Sequence, residues 1–239
     1  MSDFNRTSFA SVATRATTYD SALREYMLKV YNMMSIALGI SGLVAFLVSS
    51  SPALMQLFFG TPLAWVVMLA PLGFVIFFQF KFNSMSAAQA QAYLWIYSAL
   101  LGLSLATIFV VYTGASITRV FFVTAATFGG MSLYGYTTKK DLSGMGSFLM
   151  MGLLGLIIAS LVNIFLKSSG LDFAISLIGV VIFVGLTAYD TQNIKQIYYQ
   201  VGGDKETLGK AAVMGALRLY MDFINLFLML LRFMGDRRD

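Results

Sequence analysis

LIGVVIFVGLTAYDTQNIKQ, residues 177–196, decides how the rest of the chain is read. Thirteen residues from Leu177 to Tyr189 are almost unbroken hydrocarbon, and the run then closes on a carboxylate, Asp190. Hydrophobicity of that grade belongs to a helix in lipid. A chain of 239 residues that is 58% apolar and 11% charged falls well outside the balance of a soluble domain, in which about a quarter of residues are charged.

Outward from that stretch, seven segments are long enough to cross a hydrocarbon core of about 30 Å as helices. They run over residues 29–50, 62–80, 92–113, 117–137, 146–166, 172–194 and 210–234. Polar and turn-forming stretches such as SSSPALMQ, TTKKDLSGMG and YYQVGGDKETLGK separate them. Backbone groups in lipid must be satisfied within the segment, and no alternating ten-residue strands occur, so the expected fold is an all-α membrane bundle of seven helices. Three regions are expected: a polar cytoplasmic N-terminal tail over 1–28, a transmembrane domain over 29–235 and a short C-terminal tail over 236–239. The tail lacks the apolar core of a secretory signal.

Basic residues set the orientation. With the N-terminus inside, Arg6, Arg15, Arg24, Lys29, Lys81, Lys139, Lys140, Lys195, Lys205 and Lys210 fall on the inner side. The outer side holds Arg119, Lys167, Arg232, Arg237 and Arg238, a bias that favours N-inside and puts the C-terminus outside if the seventh segment crosses fully. The net charge of +5 therefore reads as topology, and no nucleic-acid partner is expected.

Cysteine and histidine are both absent, which excludes thiol and Ser–His catalysis, disulfides and zinc or haem ligation. No enzyme and no resident cofactor or metal is expected. Any ion handled here is a hard cation met by oxygen, such as calcium, or a proton. Small residues four apart, Ala125/Gly129, Ala126/Gly130 and Ala211/Gly215, are expected at close helix contacts. The fifteen methionines and twenty-one phenylalanines read as lipid-facing surface and bundle filler.

Ionisable groups within spans are costly, about 2.5–3.5 kcal/mol at a helix centre, so each is a functional candidate. Asp172 is expected to cap the sixth span and Asp141 to sit in a solvated loop. Asp190 and Asp222 lie inside the sixth and seventh spans, which run antiparallel and so bring the two acids toward one another. Two carboxylates in a low-dielectric site cannot both ionise cheaply; they share a proton and titrate as a unit. Thr187, Thr191 and Asn193 flank the first, and Arg218 and Asn225 share a helix face with the second, a polar stripe suited to an ion path. The competing structural reading is an Arg218–Asp222 salt bridge within one helix and an interfacial Asp190.

GLTAYDTQNIK at 185–195 with LYMDFINLFLMLLRFMG at 219–235 resembles the paired signature of the Bax inhibitor (TMBIM) family, in its bacterial inner-membrane branch. MSLYGYTTKKDLSG at 131–144 and ASLVNIFLKS at 159–168 are similar to that branch too, so the likeness covers the chain from about residue 22. The resemblance implies a bundle with the last helix at its centre, a multi-pass protein of the bacterial cytoplasmic membrane, and a pH-sensitive calcium leak. It implies a di-aspartyl sensor at Asp190 and Asp222, with weak calcium contact at the same pair. It also implies a basic latch near the inner end of the second helix, for which Lys81 is the nearest match. Arg218 departs from the small hydroxyl residue that the resemblance implies at its position, and it competes with the shared proton. The alternative function is a non-conducting stress or cell-death regulator working through a partner such as a membrane protease.

Overall fold

The computed structural model describes residues 3–202 and 204–238, with side chains described from residue 21 onward. The helices are α1 (Asp3–Ser49), α2 (Pro52–Phe59), α3 (Leu63–Lys81), α4 (Ala87–Leu105), α5 (Ile108–Val111), α6 (Gly114–Thr137), α7 (Ser143–Leu166), α8 (Ser169–Val201) and α9 (Lys205–Met234). Seven stretches of the described residues are long and apolar enough to cross a membrane: Ser21–Ser49, Leu63–Ser84, Ala87–Val111, Gly114–Thr137, Ser143–Leu166, Ser169–Val201 and Lys205–Met234. Each contains most of one expected span. The turn expected after the first span carries a short helix of its own, α2, started by Ser51 with Pro52 behind it.

The first helix starts before residue 29. Residues 21–28, placed with the polar tail on composition, are helical, and Leu23, Tyr26 and Met27 are buried. One apolar face at helical spacing is enough to dock a polar segment. The side chains of residues 1–20, the rest of that tail, lie outside the described residues.

Local chemistry explains where the helices begin. Ser86 and Gln89 form a reciprocal capping box at α4, Thr113 accepts the Ser116 amide at α6, and Asp204 accepts the Thr207 amide at 2.8 Å at α9. The sixth span is capped by Ser168, whose hydroxyl accepts the Leu171 amide at 3.3 Å. Asp172, expected in that role, lies in the first turn instead, where its charge suits the helix dipole. Asp141 is exposed as expected, and its Oδ1 accepts the Ser143 amide at 2.9 Å.

α9 is the axis of the bundle, packed against α1, α4, α6 and α8. Its fifteen buried residues include Leu219, Tyr220 and Leu226, whereas peripheral α7 buries only Gly146, Leu149 and Leu156. Lipid supplies no hydrophobic drive between helices, so close packing and internal hydrogen bonds hold them together. Ser41 Oγ on α1 meets Tyr220 Oη on α9 at 2.6 Å and Ser98 O on α4 at 2.7 Å, tying three helices at one point. Ser104 Oγ donates to Val67 O at 2.6 Å between α4 and α3.

The closest backbone approaches involve glycines that the four-residue pattern did not single out. A Cβ on Gly135 would stand 2.2 Å from Ala188 O, and one on Gly102 would stand 2.6 Å from Ser41 O. Of the expected contacts, Gly215 does lie against Ile194, but Gly129 and Gly130 face open space. The spacing of small residues fixes a stripe; which way α6 turns that stripe depends on its neighbours.

α9 crosses the whole bundle. At its start Lys210 Nζ donates to Asn83 O at 3.0 Å and Glu206 Oε1 accepts the Ala87 amide, both at the α3–α4 turn. At its end the Thr113 amide donates to Asp236 O, the Arg238 amide donates to Val111 O, and Arg119 pairs with Asp236 at 2.8 Å, all at the α5–α6 turn. Those turns lie at opposite ends of α4, so the two ends of α9 lie on opposite faces of the bundle.

Candidate functional site

On α9, Arg218, Asp222 and Asn225 are spaced four and three apart and share one face; on α8, Asp190 and Asn193 do the same. The two faces meet in a cavity of about 460 Å³ between α8, α9 and α7, walled on its apolar side by Met150 and Leu153 of α7. Asp222 is 6% exposed. The Asp190 and Asp222 side chains lie within hydrogen-bonding reach of one another. Asp222 Oδ2 is buried and meets no donor among the described residues, so a hydrogen bond between the two carboxyls requires that one of them hold a proton.

Arg218 does not close the within-helix bridge to Asp222. Its Nη1 lies 3.8 Å from Asp190 Oδ1, across the helix interface, with the arginine side chain 42% exposed. That separation is loose for a guanidinium–carboxylate pair, whose charge-assisted hydrogen bonds run about 2.7–2.9 Å. Arg218 also lines a second cavity of about 320 Å³, with Phe82, Asn83, Thr207 and Lys210, toward the α3–α4 turn. It therefore stands between the acid pair and that end of the bundle. On the far side, α8 and α9 are closed by Met229, which fills the space over Gly179 beside Leu156, and by the Phe173 and Phe233 rings, 5.4 Å apart.

The family described as inhibitor of apoptosis-promoting Bax1 matches residues 23–239, nearly the whole chain. The chain belongs to the Bax inhibitor family. Among its relatives, a protein of Rickettsia prowazekii is 50% identical over the full length of both chains. The inner membrane protein YbhL of Escherichia coli is 48% identical over 220 residues, covering 91% of this chain and 94% of that one. A membrane protein of Streptococcus pyogenes is 34% identical over 222 residues, covering 92% and 96%.

In this member of the Bax inhibitor family, the residues singled out from sequence divide into two groups. Asp190, Asn193, Arg218, Asp222 and Asn225 line one cavity. Thr187 and Thr191 do not: both are fully buried, Thr187 Oγ1 donating to Phe183 O at 2.7 Å and Thr191 Oγ1 meeting Ser132 Oγ on α6 at 2.9 Å. Thr191 ties α8 to α6, whereas Thr187 bonds within α8. Lys81, at the last turn of α3, is exposed and lines neither cavity. The basic group that grips the end of α3 comes from α9, where Lys210 caps Asn83 O and lies 5.3 Å from the centre of the Phe82 ring.

Two contributors were not visible in the sequence. Gln192 accepts the Leu142 amide at 2.9 Å and donates to Lys140 O at 2.7 Å, clamping the α6–α7 loop to α8 two residues beyond Asp190. Tyr26 on α1 lies within electrostatic range of Arg218, and its buried hydroxyl has no hydrogen-bond partner among the described residues. Only the polarity of Gln192 inside an apolar span offered a signal, and a tyrosine near a span end offers none. No group of three or more acidic, histidine or cysteine side chains converges among the described residues, so nothing here builds a tight divalent-metal cage.

Proposed function

We propose that the protein is a pH-sensitive leak path for cations, calcium foremost, in the bacterial inner membrane, with its N-terminus inside and its gate at Asp190 and Asp222. The observation that carries this reading is the meeting of two membrane-embedded carboxyls from neighbouring helices, one of them buried with an oxygen that lacks a donor. A pair that holds one shared proton carries a single negative charge, offset by Arg218 beside it, and holds α8 to α9. Loss of the shared proton leaves repelling charges that favour a wider cavity and attract a cation. Two carboxylates fall far short of the six to eight oxygens of a tight calcium site, so a passing ion keeps much of its water and leaves readily.

Arg218 is the latch in this scheme. It offers Asp190 a tethered positive charge, and a cation entering from the α3–α4 end has to displace it. The latch then comes from the gating helix itself and not from Lys81. Met229 over Gly179 is the barrier toward the opposite face.

The test is calcium entry into liposomes as a function of pH for the wild type, Asp190→Asn and Asp222→Asn. Wild-type flux is expected to vary with pH and both variants to flatten that dependence. Unchanged profiles in both would remove the acid pair from the gate. A wild type that passes no calcium at any pH would favour the non-conducting regulator.

A further inference from the structure

A second feature of the bundle, independent of the acid pair, lies along the seam between α1 and α6. Two cavities of about 460 and 400 Å³ follow one another there. The first is lined by α1 from Arg24 to Met34 and by α6 from Tyr136 back to Phe128. The second is lined by α1 from Leu38 to Ala45 and by α6 from Phe122 back to Ile117, with Phe223 and Phe227 of α9 as its floor. From residue 24 to residue 45 an α-helix rises roughly 32 Å, about the depth of a bilayer's hydrocarbon core.

The seam is shaped as a slot. Gly42 and Gly129, one on each wall, face open space, while Leu28, Phe122 and Leu133 stand out at the rims with more than half their surface exposed. A helix about 10–12 Å across cannot enter a slot between prominent rims, whereas an acyl chain one methylene wide can.

The two ends of the slot differ in charge. Arg24 lines the end near the start of α1 and makes no ion pair among the described residues. Lys195 Nζ donates to Tyr136 O at 2.9 Å on the opposite wall, and Lys139 and Lys140 follow within four residues of Tyr136. Among the described residues, Glu25 and Asp141 are the acidic neighbours in sequence of these four basic side chains. The other end of the slot, around Ala45 and Ile117, is lined by no charged side chain; its polar groups, Ser41 and Thr118, donate to Ser98 O and Gly114 O, and Arg119 next to it is paired with Asp236.

We propose that this slot is a binding site for one anionic phospholipid, with an acyl chain lying between α1 and α6 and the phosphate at Arg24. A bilayer presents such a chain at that depth in every orientation of the protein. The Arg24 guanidinium, which makes no ion pair among the described residues, selects the headgroup.

The experiment reconstitutes the full chain in vesicles of phosphatidylcholine and phosphatidylglycerol in equal parts, extracts it in mild detergent and counts retained lipid by native mass spectrometry. The wild type is expected to retain phosphatidylglycerol in preference to phosphatidylcholine. Arg24→Gln is expected to lower that preference by roughly fivefold, the order set by one basic side chain at an anionic surface. Gly42→Leu and Gly129→Leu, whose added side chains meet open space, are expected to reduce retention of both lipids with helical content unchanged. Equal retention of the two lipids by the wild type, or indifference to all three substitutions, would overturn the proposal. So would a dimer that Gly129→Leu abolishes while lipid retention persists, which would assign the slot to a second copy. Greater lipid retention after deletion of residues 1–20 would assign it to that segment, and would overturn the proposal too.

Discussion

Arg218 is the side chain whose partner most changes the chemistry of the site. Bound to Asp222 on its own helix it would be a static pin; placed toward Asp190 it couples two helices and leaves Asp222 Oδ2 without a donor among the described residues. Arg218→Gln is expected to destabilise the fold by only about 1 kcal/mol, since the guanidinium is part exposed and such pairs contribute little, against several kcal/mol for a fully buried pair. It is expected to raise calcium flux near neutral pH, because the tethered competitor is gone. Thermal unfolding in detergent and liposome flux read the two effects separately; lowered flux with intact folding would make Arg218 part of the conducting path and not its latch. The acids themselves were legible in the sequence because ionisable groups inside apolar runs are costly and therefore conspicuous. Thr187 and Thr191, expected on the polar stripe from proximity in sequence, do not line the cavity, since a hydroxyl satisfies itself equally well on a neighbouring carbonyl or helix.

Helices in this bundle are held by a few close contacts and capped by a few side chains, and both kinds of contact make testable differences. Gly135→Ala would force a Cβ onto the Ala188 carbonyl and push α6 off α8, with an expected loss of about 1–3 kcal/mol, typical of overpacking. Gly129→Ala, six residues earlier on the same helix, is expected to leave the melting temperature unchanged or to raise it slightly, because its Cβ meets open space and alanine is the better helix former. Equal losses for both would mean that α6 is rotated from the position described.

The start of α9 carries a pH-dependent cap. The Thr207 hydroxyl and amide both donate to Asp204, which holds its carboxyl below the ordinary carboxylate range. A depressed folded value means that the stabilisation is complete above the unfolded value and is lost as pH falls through the folded one. Asp204→Ala is therefore expected to lower the melting temperature at neutral pH and to converge with the wild type under strong acid. A gap that persists there would remove the charged cap from α9.

Over the whole molecule, seven helices long and apolar enough to cross a membrane are expected to place the α6–α7 loop and the C-terminal segment on opposite faces. The chain contains no cysteine, so Asp141→Cys and Arg238→Cys each supply a single thiol. A membrane-impermeant maleimide is expected to label the two from opposite sides of sealed vesicles; labelling from the same side would mean that α9 does not cross. Charge alone leaves that crossing open; the backbone hydrogen bonds of Thr113 and Arg238 at the α5–α6 turn set α9 across the full length of the bundle.

What the sequence determined by itself was the seven apolar runs, the helices they must form in lipid, and the two acids those helices carry, because each follows from the cost of exposing polar groups to hydrocarbon along a single segment. Tertiary structure alone decided which way each helix turns about its axis. That rotation depends on side chains from several helices fitting together at once, and no one segment contains them. It sent Gly129 to an open slot, Gly135 to a backbone contact and Arg218 across the interface to Asp190.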